Sequence, residues 1–122
     1  MISGSADSDL AAGISIEDTG VSGTIVNEGL ISGASVAVDA STSNSSLDFV
    51  NGGAIEGDVF FGSSNDVLTF NQNGTINGAI DGGAGVDTLN VNFGNFDAGV
   101  AFVASLDISS FEFVNIDGQR FA

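Results

Sequence analysis

The chain has 122 residues, among them 18 Gly and 10 Phe, and its single base, Arg120, stands against 16 acids for a formal charge of −15. The length suits one domain, spanning 1–122, and a hydrophobic fraction of 43% is too apolar for an acidic disordered tail. A surface so poor in bases excludes nucleic acid and anionic membrane as partners, and the absence of Cys excludes disulfides and soft-metal sites. With no His, Cys, Lys or Tyr, only carboxylates and hydroxyls remain for acid–base or nucleophilic chemistry, so the chain reads as no enzyme.

From the amino terminus, Met1 to Asp7 has no basic segment followed by an apolar one, so no signal peptide is read there. No apolar run approaches the roughly 20 residues that span a bilayer. Short alternating runs follow: Ile14-Ser15-Ile16, Val36-Ala37-Val38, Leu68-Thr69-Phe70, Leu89-Asn90-Val91-Asn92-Phe93 and Phe111-Glu112-Phe113. Each is bounded by Gly, Asn, Asp or Ser, which is the pattern of short strands. No helical period is sustained. Ala98 to Leu106 fits a short helical turn, but no amphipathic capping helix is legible at either end.

Two phrases repeat in phase along these runs. Ile-x-Gly occurs at Ile31, Ile55 and Ile76, and at both chain ends as Ile2-Ser3-Gly4 and Ile116-Asp117-Gly118. Leu-x-apolar occurs at Leu47, Leu68, Leu89 and Leu106. Ile55 to Leu68 and Ile76 to Leu89 are both 13 residues, while Leu47 to Ile55 and Leu68 to Ile76 are both 8, so the unit is 21. The interval from Ile31 to Ile55 is 24, and its extra residues are assigned to the polar stretch Ser41 to Ser46. A strict repeat of strands reads as an all-β solenoid, with parallel coils about 4.8 Å apart and roughly six coils of 21 residues in the chain. Three inward ladders are expected: Ile31, Ile55 and Ile76; Leu47, Leu68 and Leu89; and Phe49, Phe70 and Val91. Gly33, Gly57 and Gly78 are expected at a corner. Asn27, Asn51, Asn71, Asn73 and Asn92 are expected as amide ladders or left-handed turn residues. Phe60, Phe61, Phe93, Phe96 and Phe102 exceed what one narrow column needs and are read as filling a widening end of the stack.

Asn27-Glu28-Gly29-Leu30-Ile31-Ser32-Gly33, Asn51-Gly52-Gly53-Ala54-Ile55-Glu56-Gly57 and Asn73-Gly74-Thr75-Ile76-Asn77-Gly78 resemble phrases of bacterial autotransporter passenger domains. The resemblance covers about Ser22 to Gly118. It implies a single-stranded right-handed parallel β-helix, displayed at the bacterial cell surface or in the extracellular space. The chain departs from that family in having no signal peptide and no carboxyl-terminal membrane barrel, and is therefore expected to be a segment of a longer surface protein.

One motif carries candidate chemistry. Gly82-Gly83-Ala84-Gly85-Val86-Asp87-Thr88-Leu89-Asn90 resembles the nonapeptide of repeats-in-toxin proteins, which implies a calcium loop with Asp66, Gly83, Gly85 and Asp87 as candidate ligands. Asp66 and Asp87 are 21 residues apart, hence expected side by side on one edge, where a shared cation would relieve their repulsion. A structural turn is the reading preferred here, with no cofactor. The expected role is that of a non-enzymatic structural or adhesin segment binding a host or cell-surface ligand. The alternative is a self-assembling, calcium-dependent subunit joined through its solenoid ends, and a carbohydrate-active enzyme fragment ranks last.

Overall fold

An inward apolar row three to five residues long is buried only if each coil lies directly on the next, so every alternating run pairs with its copy one coil away. The computed structural model describes residues 12–15, 23–72, 74–117 and 119–121. Their elements are β1 (Ala12–Ser15), β2 (Gly23–Asn27), β3 (Leu30–Asp39), β4 (Leu47–Asn51), β5 (Ala54–Phe60), β6 (Val67–Asn71), β7 (Thr75–Asn77), β8 (Ala79–Asp81), β9 (Thr88–Asn92), α1 (Phe96–Ser105), β10 (Asp107–Ser109), β11 (Phe113–Ile116) and β12 (Gln119–Phe121). The first sheet runs β1-β3-β5-β8-β10, with β7 also on β5; the second runs β12-β11-β9-β6-β4-β2. All pairings are parallel except that of β11 with β12.

The chain thus alternates between two sheets as a β-solenoid of about four turns, not the six expected. Dividing the length by the repeat assumed that every residue winds into a coil. Residues 1–11 and 16–22 lie outside the described residues, and the phrase Ile2-Ser3-Gly4 lies there. In the last coil α1 occupies length that would otherwise form strand.

The inward rows carry the core, and two of the three are shifted from expectation. Ile31, Ile55 and Ile76 stack as read. In the second sheet, however, Phe49 lies opposite Leu68, so the row is Ile25, Phe49, Leu68, Leu89 and Val114, without Leu47. The next row is Asn27, Asn51, Phe70, Val91 and Ile116. A fourth row, Val38, Val59, Ile80 and Ile108, completes the first sheet. Phe49, Leu68, Phe70, Leu89 and Val91 are all 0% exposed, so the inside is packed core rather than a lumen.

The net three extra residues of the longer coil lie in β3. The serine stretch is also two residues longer than its counterpart, 9 from Asp39 to Asp48 against 7 from Phe60 to Val67, but the turn from Asn51 to Ala54 is two shorter, 3 against 5 from Phe70 to Thr75. β3 has 10 residues against 7 in β5, and its register slips between Ser32 and Val36 and again between Val36 and Val38. The insertion is a bulge inside the strand, which keeps Val38 over Val59 and buries the added Ala37. Gly33 falls within this strand and not at a corner. Gly57, with φ 124, lies beneath Gly78, where a Cβ would land on the Gly57 carbonyl.

A ten-residue helix, α1, forms where a short helical turn was expected. Asn95 caps α1 by accepting a hydrogen bond from the Ala98 amide at 3.1 Å, and Asp97 sits in the first turn, where a negative charge is favoured. Gly99 brings the helix backbone against Ile116 and Val91. Phe102 packs between Phe70 and Phe93, with ring centroids 4.9 Å away in each case. Of the surplus phenylalanines, Phe93 and Phe102 therefore fill the space between the helix and the second sheet. Phe61 is buried and meets Phe111 edge-on at 6.1 Å. β12 covers the outer edge of β11.

A candidate functional site at the acidic corner

The turns that follow β5 and β8 stack on one another at one corner of the coil, above the serine stretch. Backbone contact there is too close for side chains: a Cβ on Gly62 would land on the Ser43 carbonyl, and one on Gly83 on the Gly62 carbonyl. Gly83 also has φ 77, a left-handed conformation that favours glycine. The stack is held by Ser63 and Ala84 amides donating to the Ser43 and Gly62 carbonyls, each at 3.1 Å. Asp81 accepts from the Gly83 amide at 2.8 Å, and Asn65 Oδ1 from the Val86 amide at 2.7 Å.

At the end of each turn an acid replaces the ordinary backbone acceptor. The Leu47 amide donates to Asp66 Oδ1 at 2.8 Å, the Asp66 amide to Asp87 Oδ1 at 2.7 Å, and the Asp87 amide to Glu112 Oε1 at 2.7 Å. These rungs are 19, 21 and 25 residues apart in sequence, so a single column of carboxylates links successive coils. The structure brings Asp66 and Asp87 together as expected, and places Gly83 and Gly85 in the stacked turn just before Asp87. Gly85, with φ 95, lies over Ser64. Among the described residues no three His, Cys, Asp or Glu are grouped as metal ligands.

Sequence reading missed Glu112, because Phe111-Glu112-Phe113 reads as an alternating strand. A signal was present: Asp66, Asp87 and Glu112 each stand two residues before a member of the same inward row, Leu68, Leu89 and Val114. Glu112 is exposed, whereas Asp66 and Asp87 are 1% and 0% exposed.

Burial dominates the electrostatics. Loss of solvation raises the Asp66 carboxyl above its ordinary value, against the opposing effect of the Leu47 amide, the neighbouring Asp87 carboxyl and the Gly62 amide. Loss of solvation likewise pushes Asp87 up to about 6; its bond to the Asp66 amide opposes the rise, and the charges of Asp66 and Glu112 add to it. Asp66 Oδ2 and Asp87 Oδ2 are both buried with no hydrogen-bond donor.

A second buried polar column lies at another corner. Asn27 Nδ2 donates to Asn51 Oδ1 at 2.8 Å and to the Ala54 carbonyl at 3.1 Å, and Asn51 Nδ2 donates to Gly53 and Thr75 carbonyls at 3.1 and 3.2 Å. This is the expected amide ladder, limited to these two rungs: Asn71 and Asn92 pair through their backbones but are exposed, and Asn73 lies outside the described residues. Compared with family models, with curated proteins and with solved structures, the chain matches none.

Proposed function

We propose that the chain is a non-enzymatic structural segment of a bacterial surface protein, a stiff acidic rod that spaces or presents an adhesive surface outside the cell, built as a right-handed coil like the autotransporter passengers it resembles. The observation that carries this reading is the continuous register: four inward rows run through successive coils of a packed core, and the acids among the described residues lie outward or at the coil corners. Asp66 and Asp87, neighbours in the acid column, are shut off from solvent, so no polysaccharide reaches them. This favours a structural role over glycoside cleavage, which needs two accessible carboxylates.

β12 covers the outer edge of β11 at the carboxyl-terminal end of the second sheet, which weighs against joining copies end to end through that sheet. Sedimentation velocity at increasing protein concentration is expected to give a constant, elongated monomer. Particles that lengthen with concentration would favour the self-assembling alternative.

The corner residues Asp66, Gly83, Gly85 and Asp87 act in this reading as a stacked turn and not as ligands. Each acid already gives one oxygen to an amide, and both glycines are taken up by close backbone contact. Millimolar Ca²⁺ is then expected to raise the melting midpoint no more than Mg²⁺ at equal ionic strength, because both only screen surface charge. A rise specific to Ca²⁺, abolished in Asp87→Ala, would overturn this assignment.

A further inference from the structure

The acid column has one feature that its role as a hydrogen-bond ladder does not require. Each rung uses a single carboxylate oxygen, yet the second oxygens of Asp66 and Asp87 are both buried and both lack a donor. Two ionised carboxylates present only acceptors to one another, so neither satisfies its neighbour until a proton stands between them. An amide there would serve the same purpose, and the chain has placed an acid at both positions instead. We propose that Asp66 and Asp87 hold one proton between their Oδ2 atoms, and that this proton makes the corner a latch between coils, tight in acid and already loosened by neutral pH.

Of the other charged groups around the pair, Glu112 pushes in the same direction. Glu112, before β11, faces Asp87 through its amide; Asp81, ending β8, is bonded to the Gly83 amide; Asp48, in β4 beside Leu47, is exposed. The one base, Arg120, lies in β12, paired through its backbone with Asn115. The elevation of both acids by burial agrees with the geometry. The sign follows from proton uptake. With Asp87 at about 6 in the folded chain against 3.8 in the unfolded one, the folded state binds more protons between those values. The contribution to stability is therefore full below the lower value and is lost as pH rises toward the upper one.

The test is thermal unfolding near pH 5 and near pH 7.5, in high salt to screen the surface acids and with chelator to remove polyvalent cations. The wild-type midpoint is expected to fall by at least ~5 °C between the two. Asp87→Asn retains an acceptor for the Asp66 amide and adds a permanent donor to Asp66 Oδ2, so its fall should be much smaller. Asp107→Asn, an exposed acid on β10 with the same change in charge, should fall like the wild type. Parallel falls in all three proteins would overturn the proposal. Should Asp87→Asn fail to fold, carboxyl ¹³C titration of the wild type decides: coupled Asp66 and Asp87 signals with a midpoint near 6 support the shared proton, and independent titration near 4 rules it out.

Discussion

Phe70→Ala is expected to lower the free energy of unfolding by about 3–5 kcal/mol, read from denaturant midpoints at unchanged m-value. Phe70 is 0% exposed and stands between Asn51 in one neighbouring coil and Val91 in the other, with the Phe102 ring of α1 across it. Removing the ring opens a void that the coil cannot close. The strands on both sides are pinned by parallel ladders, so the backbone has no route inward, and a cavity of this size forfeits its packing as well as its transfer energy. The same substitution takes away half of the aromatic seat of α1, because Phe93 alone then holds Phe102. The helical and strand signals should still be lost together, at the lower midpoint. Val26→Ala, at a side chain 62% exposed, is the control and should change stability by less than ~0.5 kcal/mol. A loss for Phe70→Ala as small as that of the control would mean that the inward rows do not form one core.

The architecture was legible because period two and a 21-residue repeat both survive in the sequence, and each has one physical cause: alternate faces, stacked coils. Register was harder. Leu47-Asp48-Phe49 looks like Leu68-Thr69-Phe70, yet Phe49, not Leu47, lies opposite Leu68. A slip of two residues leaves every side chain on its own face, so hydrophobic pattern cannot detect it. Polar partners decide instead: in the observed register Asn51 Nδ2 reaches the Thr75 carbonyl, and Asp66 Oδ1 accepts from the Leu47 amide. α1 was read only as a short turn, since Phe-Asp-Ala-Gly-Val-Ala-Phe-Val-Ala-Ser contains Gly, two Val and two Phe, none a strong helix former. Its stability comes from tertiary contact at Gly99 and Phe102, which no local window contains. The acid pair was visible as a 21-residue spacing, but the glycines before it pointed toward a loop for calcium. Their closeness to backbone one coil below gives them a second reason to be glycine, and sequence cannot separate the two reasons.

Gly83→Ala separates them. Two glycines share almost the same φ, 77 at Gly83 and 76 at Gly94. They differ in surroundings: around Gly94 a Cβ would meet nothing within 4 Å, whereas at Gly83 it would land on the Gly62 carbonyl. Gly94→Ala should then cost only the left-handed strain of an L-residue, about 1–2 kcal/mol. Gly83→Ala adds a collision between backbones whose separation is set by hydrogen bonds on both sides, from Ala84 to Gly62 and from Ser63 to Ser43. Coil spacing cannot widen at one corner without stretching every ladder it belongs to, so the total cost should exceed ~3 kcal/mol. The disturbance also sits four residues before Asp87 in the same turn, and should unseat the bond from the Asp66 amide to Asp87. Hydrogen exchange at the Asp66 amide is the readout: it should accelerate in Gly83→Ala and remain slow in Gly94→Ala. Equal costs for the two substitutions would mean that coils at this corner stand farther apart than the carboxylate column requires.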